Sequence, residues 1–215
     1  MAQKKMQGAR PDWLVPLDDP RDEEILSAAF DVFTEKGFHG ATMLEVATRA
    51  RASKVTLYRR FENKVSLLCS LLAWGCRRNM PEADEIERLS AGDPVETLNS
   101  YAVTVLTAMM RPESLALYRI VVAEGERLPE VGRIFDSFTR EPSIEMVRII
   151  GDRLVAAKIC AIENHGDFAD DFIGILRGDF FHKALIGART SPKRAAIEAH
   201  ARRAMGRLLK AYAVH

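Results

Sequence analysis

The strongest constraint on the fold is a pair of short helical segments that only three residues separate. The sequence T-M-L-E at 42–45 matches the capping box S/T-x-x-E and predicts a helix that ends near Ala50. Ser53 is a favoured N-cap for a second helix over residues 54–60. Two short helices with so tight a connection predict a helix-turn-helix. The first of them is expected to turn three apolar residues inward: Leu44, Val46 and Ala47.

A longer helix is predicted immediately before this pair. Asp19 and Pro20 are typical of the N-cap and the first helical position. Gly37 is predicted to end the helix in a left-handed conformation, with Phe38 as the hydrophobic residue that follows. Apolar residues recur between these ends at helical spacing: Ile25, Leu26, Ala29, Val32 and Phe33.

The remainder of the chain is also predicted to be helical, because no stretch alternates with the period of two that a strand requires. Asn63 is expected to cap a helix that ends near Met80. Prolines mark the starts of most later segments, and we expect helices near 94–110, 112–126, 129–139, 142–161, 167–187 and 192–213.

The predicted fold is therefore all-α, with a three-helix helix-turn-helix domain at the N-terminus and a helical bundle after it. Residues 1–18 lack periodicity and are predicted to form a flexible basic arm. Residues 19–65 would form the helix-turn-helix domain, and residues 66–215 the bundle.

Basic side chains concentrate in the segment 49–64. The chain as a whole is nearly neutral, with 31 Lys and Arg against 30 Asp and Glu. The segment itself has one acidic residue, Glu62, and six basic ones: Arg49, Arg51, Lys54, Arg59, Arg60 and Lys64. A basic cluster on a neutral background favours a phosphate-bearing partner, although a solvated helix face is the alternative.

Several classes of protein lack support in the sequence. There is no G-x-S-x-G, G-x-G-x-x-G, P-loop or metal-ligand spacing, so we expect neither an enzyme nor a bound cofactor or metal. No apolar run is long enough for a membrane span, and the N-terminus lacks the apolar region of a signal peptide. Free thiols at Cys69, Cys76 and Cys160 favour the reducing cytoplasm. Cys69 and Cys76 lie seven residues apart, and a redox sensor is the alternative for that pair.

The N-terminal third resembles the TetR family of bacterial transcriptional regulators (TetR/AcrR-like). The similar stretches are I-L-S-A-A-F-D-V-F-T-E-K-G-F-H-G-A-T at 25–42, L-E-V-A-T-R-A at 44–50 and A-S-K-V-T-L-Y-R-R-F-E-N-K at 52–64. They cover 38 residues. Two positions depart from the family pattern, because Arg51 replaces the usual Gly of the turn and Val55 replaces the usual small residue. Arg51 therefore implies either an altered turn or a strained backbone.

The resemblance implies a DNA-binding role for the basic segment. Lys54, Val55 and Thr56 would face base edges in the major groove. Other residues would cap helices beside the DNA or bind phosphates: Thr42, Arg51, Ser53, Tyr58, Arg59, Arg60 and Lys64. Three alternatives stay open, namely that Val55 packs inward, that Tyr58 is a half-buried core residue, and that Arg59 and Arg60 are only solvated at the surface.

For the rest of the chain, the resemblance implies a ligand-binding and dimerisation region. Segment 117–131 is similar to one that is frequent in regulators of multidrug efflux and resistance genes. Six residues are candidates for the lining of an apolar cavity, with core packing as the alternative for each: Trp74, Met109, Met110, Tyr118, Phe135 and Phe138. Surface solvation is the default for three acidic residues, with recognition of a cation as the alternative: Glu124, Glu126 and Asp136.

The last two helices, about 167–187 and 192–213, carry small residues that let helices approach closely. The resemblance implies that these two helices form the dimer interface, and packing within one chain is the alternative. The sequence thus predicts a homodimeric, cytoplasmic regulator that binds a palindromic operator in double-stranded DNA. A small apolar or amphipathic effector would release it from that operator, which makes repression the expected outcome. The alternative is a helical ligand-binding or interaction protein that no longer binds DNA.

Overall fold

The computed structural model describes residues 19–79, 92–188 and 192–214, and these residues are helical throughout most of their length. The predicted basic arm at 1–18 and the predicted helix end near Met80 lie outside the described residues. Nine helices form within the described ranges: α1 (Pro20–Gly40), α2 (Met43–Arg49), α3 (Lys54–Arg60), α4 (Lys64–Asn79), α5 (Pro94–Met109), α6 (Pro112–Glu124), α7 (Pro129–Ala156), α8 (His165–Leu185) and α9 (Arg194–Ala211). The all-α prediction is confirmed.

Side-chain caps fix the starts of the first four helices. Asp19 accepts a hydrogen bond from a backbone N–H of α1 at 2.8 Å. Thr42 and Glu45 form the reciprocal capping box of α2, with side chain-to-backbone distances of 3.2 and 3.0 Å. Ser53 accepts from a backbone N–H of α3 at 3.0 Å, and Asn63 does the same for α4 at 2.9 Å. All four predicted caps are confirmed.

The capping box makes a specific prediction about stability. Replacing Thr42 with Ala should lower the free energy of unfolding by about 1 kcal/mol, because a backbone N–H of α2 loses its acceptor. Thr42→Ser keeps the hydroxyl and should stay close to wild type. Urea denaturation of both variants measures the difference, and equal losses in the two would exclude the cap as the cause.

Gly37 interrupts α1 without ending it. Its φ of 70° has the predicted sign, but its ψ of 171° lies outside the left-handed helical region. This combination of angles is essentially restricted to glycine. The chain kinks at Gly37 and continues for one more turn to Gly40, so the predicted stop is a break within the element.

The chain divides into two compact units. The first consists of residues 1–78 and 116–139, and the second of 79–115 and 140–215. The core of the first unit is built from the apolar faces of α1–α4, and Leu117, Val131 and Ile134 from the second segment join it. The functional boundary predicted after residue 65 stays a prediction.

The second unit has its own core, formed by α5, α8, α9 and the part of α7 after residue 140, where Val147 and Leu154 are buried. Tyr101 of α5 stacks on Phe172 of α8, with ring centroids 5.7 Å apart. Its C-terminal end is tied back by an isolated antiparallel bridge between Cys160 and Ala213. No helix within the described ranges combines the length and the hydropathy needed to cross a membrane.

Two further predictions about local structure were wrong. The break expected near Pro142 does not occur, since α7 runs without interruption from Pro129 to Ala156. A proline inside a helix costs about 3 kcal/mol. Side chains buried before and after it, such as Ile134 and Val147, offset that cost, each in its own unit.

The prediction that Leu44 faces inward is also wrong, because this residue is 62% exposed. The buried face of α2 consists of Met43, Val46 and Ala47, with Ala50 after its end. These positions follow the helical spacing i, i+3, i+4 and i+7, which leaves Leu44 on the outer face.

Candidate nucleic-acid interface

The turn between α2 and α3 is tight and has an unusual backbone conformation. Arg51 has a φ of 49°, the left-handed region that a glycine would enter without strain. The N–H of Ala52 donates to the carbonyl of Ala47 at 2.8 Å, and the N–H of Arg51 to that of Thr48 at 3.1 Å. The turn therefore keeps the geometry suited to glycine and accepts a strain of about 1–2 kcal/mol. This decides between the two possibilities that the sequence left open.

Helix α3 has one buried residue and a solvent-facing surface. Leu57 is fully buried, whereas Val55 is 77% exposed and Tyr58 is 43% exposed. The alternative in which Val55 packs inward is therefore wrong, whereas that of a half-buried Tyr58 stays open. Lys54 and Arg59 are also exposed. A short helix with this distribution can present several side chains to a partner while Leu57 anchors it.

Two of the exposed side chains on α3 contact each other. The ammonium of Lys54 lies 5.7 Å from the ring centroid of Tyr58, one helical turn later. Such a cation–π contact contributes about 0.5–1 kcal/mol at an exposed site. On the same turn, the hydroxyls of Ser53 and Thr56 lie 2.8 Å apart, so Thr56 is partly withdrawn towards the cap.

Lys64 directs its ammonium into the protein. Its Nζ donates to the carbonyls of Phe38 at 2.7 Å and Ala41 at 2.9 Å, with that of His39 at 3.4 Å. It also lies 4.6 Å from the ring centroid of Phe38. An ammonium has three N–H donors, and those of Lys64 point to carbonyls in the last turn of α1 and just after it. Its predicted phosphate contact stays a prediction.

Two other members of the basic cluster are paired with carboxylates. Arg49 forms a bidentate pair with Glu35 at 2.6 and 2.7 Å, and this hydrogen bonding lowers the pKa of Glu35. Arg60 bonds Asp22 and Asp19. The exposed members of the cluster on the turn and on α3 are Arg51, Lys54 and Arg59.

Glu124 has a position that sequence analysis missed. Its side chain is 8% exposed, and its Oε2 lies 3.0 Å from Nε2 of His39, a residue near the end of α1. The default of surface solvation is therefore wrong for this carboxylate. No local pattern indicated this pair, because positions 39 and 124 lie 85 residues apart in the sequence.

The predicted effector residues fall in both units. Trp74, Phe135 and Phe138 are partly buried and pack against the core of the first unit. Tyr118 belongs to the same unit, and its ring meets that of Phe135 edge-on, with centroids 5.4 Å apart. The indole N–H of Trp74 is buried, and no hydrogen-bond partner for it occurs among the described residues.

The two predicted methionines belong to the second unit. Met110 is 3% exposed and forms the C-cap of α5, and Met109 is partly buried just before it. Burial alone is equally compatible with core packing and with the lining of a cavity, so both residues stay predictions as effector contacts.

A compact three-helix arrangement whose third helix, α3, is short, basic and solvent-facing defines a helix-turn-helix DNA-binding protein. The family model described as "Bacterial regulatory proteins, tetR family" matches residues 25–71. The model described as "AefR-like transcriptional repressor, C-terminal domain" matches residues 96–214, more than half of the chain. The chain therefore belongs to the TetR family of transcriptional regulators.

Individual relatives agree with this assignment over most of the chain. The HTH-type transcriptional repressor KstR of Mycolicibacterium smegmatis is 30% identical over 189 residues, which cover 80% of this chain and 90% of that protein. A TetR-family regulator from Mesorhizobium loti has a similar structure, with a TM-score of 0.78 and 25% identity over 90% of this chain and 97% of its own. The flavonoid-responsive regulator FrrA gives a TM-score of 0.70 at 27% identity, over 90% of this chain and 97% of its own.

Proposed function

We propose that this protein is a cytoplasmic repressor that binds a palindromic operator as a homodimer and leaves it when a small apolar or amphipathic effector binds. The observation that carries the proposal is the outer surface of α3. Val55, Tyr58 and Lys54 face solvent there, whereas Leu57 is the buried residue of the helix. An exposed apolar side chain between a cation and a phenol suits a surface that contacts DNA bases better than a surface that faces only water.

The first turn of α3 is assigned to the major groove. Lys54 and Thr56 can reach hydrogen-bonding groups on base edges, and the methyl groups of Val55 can contact a thymine methyl. Ser53 caps this turn, so the positive end of the helix dipole faces the DNA. Sequence preference is thereby assigned to three consecutive positions.

Phosphate contacts are assigned to residues around that turn. Arg51 and Arg59 are exposed cations on either side of the base-reading positions. The hydroxyl of Tyr58 would donate to a phosphate, and the capped start of α2 at Thr42 would offer backbone N–H groups to another. Lys64 adds positive charge nearby while its ammonium binds carbonyls at the end of α1 and just after it.

The homodimer is assigned to α8 and α9. Small residues are exposed on these helices and permit close approach: Gly174, Gly178, Ala195, Ala196 and Ala199. The exposed charges are mostly acidic on α8 (Asp167, Asp170, Asp171 and Asp179) and basic on α9 (Arg194, Arg202, Arg203, Arg207 and Lys210). In a two-fold interface, α8 of one protomer can therefore meet α9 of its partner with opposite charge. The two recognition helices would then read half-sites about 34–36 Å apart.

The effector is assigned to the aromatic group of the first unit, formed by Trp74, Tyr118, Phe135 and Phe138. The unpaired indole N–H of Trp74 could donate to a polar atom of an otherwise apolar molecule. FrrA is named for its response to flavonoids and KstR is named a repressor, which supports this class of effector and this direction of regulation. Release requires that the effector bind more tightly to the conformer with low operator affinity.

Selection from a random duplex DNA pool at physiological salt tests the proposal. We expect the wild-type protein to enrich one palindrome. Binding without enrichment would show only sequence-independent phosphate contacts, and no binding would favour the alternative of a helical ligand-binding or interaction protein. Addition of candidate flavonoids and other apolar compounds to the enriched complex then tests release.

Tyr58→Phe separates phosphate binding from base recognition. We expect a loss of about 2–10-fold in affinity for operator and unrelated DNA alike, because one net hydrogen bond contributes about 0.5–1.5 kcal/mol. The fold should be unaffected, since the side chain is 43% exposed. Fluorescence titration with both DNAs measures the effect, and unchanged affinity would remove Tyr58 from the interface.

A further inference from the structure

We propose that Arg60 is a positioning residue, which fixes the orientation of α3 against the first turn of α1 and does not bind phosphate. Its place in the basic cluster at the end of α3 would otherwise mark it as a DNA contact. The inference rests on the proposed operator binding, because orientation matters only if α3 reads a sequence.

The guanidinium of Arg60 is engaged on two sides. Its Nη1 donates to a carboxylate oxygen of Asp22, and its Nη2 donates to Oδ2 of Asp19 at 2.7 Å. The side chain of Arg60 is 22% exposed and that of Asp22 only 3%. A buried carboxylate is strongly unfavourable without its partner. If Arg60 turned towards a phosphate, the buried carboxylate of Asp22 would therefore lose its ion-pair partner.

Asp19 anchors this contact to the start of α1. One carboxylate oxygen accepts the N–H of Arg21 at 2.8 Å and so caps the helix, while the other binds Arg60. These hydrogen bonds, the backbone one first, hold the pKa of Asp19 below its ordinary value of 3.8, so the carboxylate stays charged at neutral pH. The same residue thus begins α1 and holds the end of α3.

The opposite end of α3 is held by the same turn of α1. Nη2 of Arg21 donates to the carbonyl of Arg51 at 2.8 Å. Arg51 is the turn residue with positive φ, three positions before the first residue of α3. Both the turn before the recognition helix and its last residue are therefore tied to residues 19–22 by hydrogen bonds. Loss of either tie would tilt or shift the base-reading turn.

Tilting and loss of a phosphate contact have different consequences for binding. Base contacts require exact placement, whereas the sequence-independent term depends mainly on charge. A positioning role therefore affects the ratio of operator affinity to unrelated-DNA affinity. A phosphate role affects both affinities together and reduces the slope of log affinity against log salt by about one.

The decisive experiment compares Arg60→Met with Asp22→Asn. Affinities are measured at several salt concentrations for the palindrome that the wild type enriches and for an unrelated duplex. We expect both variants to lose about tenfold or more of the affinity ratio with little change in salt slope. Asp22 is 2% exposed and cannot touch DNA, so its effect must act through Arg60. Wild-type-like binding by Asp22→Asn, with weaker binding and a reduced slope in Arg60→Met, would overturn the proposal.

Arg59→Met is the matched control, because Arg59 is the exposed neighbour of Arg60. Here we expect the opposite result, with both affinities lower, the slope reduced by about one and the ratio unchanged. Arg60→Lys adds an intermediate, since an ammonium can keep one of the two carboxylate contacts. It should retain more of the affinity ratio than Arg60→Met. An equal loss in the two variants would count against a role of the carboxylate contacts in positioning α3.

Amide hydrogen exchange without DNA tests whether Arg60 and Asp22 hold α3 in place, independently of operator binding. Relative to wild type, Asp22→Asn and Arg60→Met should exchange faster within residues 51–61, while the protection of α4 and of the second unit is retained. Unchanged exchange in residues 51–61 would overturn the positioning role of Arg60 even if operator binding is established. If the wild type enriches no palindrome, the proposed function fails, and the exchange result still decides whether Arg60 holds α3.

Discussion

Replacing Phe61 with Ala is expected to lower the free energy of unfolding by about 3–5 kcal/mol. Phe61 follows the last residue of α3 and is completely buried in the core of the first unit. Its N–H also donates to the carbonyl of Leu57 at 2.8 Å and so closes the helix. The truncation leaves a cavity beneath the recognition helix. Urea denaturation followed by circular dichroism measures the loss.

Val55→Ala provides the control for that experiment. Because Val55 is 77% exposed, the free energy of unfolding should change by less than about 0.5 kcal/mol. The base preferred at one position of each half-site should change instead, since a thymine-methyl contact is lost. Comparable destabilisation by the two substitutions would show that α3 is not divided into a packed face and a reading face.

The thiols should be almost unreactive in the folded protein. Burial raises the pKa of Cys69 and of Cys76 from 9.0 to about 12, and burial also raises that of Cys160. A rise of about three units reduces the thiolate fraction at pH 8 roughly a thousandfold, and the thiolate is the reactive form. An aromatic disulfide reagent should therefore label native protein very slowly and label urea-unfolded protein at ordinary rates.

Cys76 provides the stricter test of this prediction. The residue is only partly buried, yet burial raises the pKa of its thiol as strongly as that of Cys69. Rapid labelling that disappears in Cys76→Ser would contradict the shielding of that thiol. It would also restore the hypothesis that Cys69 and Cys76 sense redox conditions. Slow labelling of all three thiols leaves them as packing residues.

The local features of the fold were predictable because their interactions span few residues. Each cap at Asp19, Thr42, Ser53 and Asn63 bonds a backbone N–H two or three positions later. Such contacts can be recognised from residue type and spacing alone. The outward direction of α3 was also predictable in part, although only the structure decided that Val55 and Tyr58 face solvent.

Long-range pairs were not predictable by the same means. Arg60 and Asp22 are 38 residues apart, and Lys64 lies 26 residues from Phe38. A basic residue in a basic cluster gives no local indication of whether it faces phosphate or an internal carboxylate. The course of α7 through Pro142 depends on burial along its whole length, which periodicity around one residue does not reveal.

The backbone at Arg51 places stability and charge in opposition. Glycine there would relieve the cost of a positive φ, whereas arginine keeps a cation beside the recognition helix. A laboratory population selected only for heat resistance would therefore tend to acquire glycine at position 51. Under selection for tight gene control, arginine would be retained, so the residue found at this turn records which of the two pressures dominated.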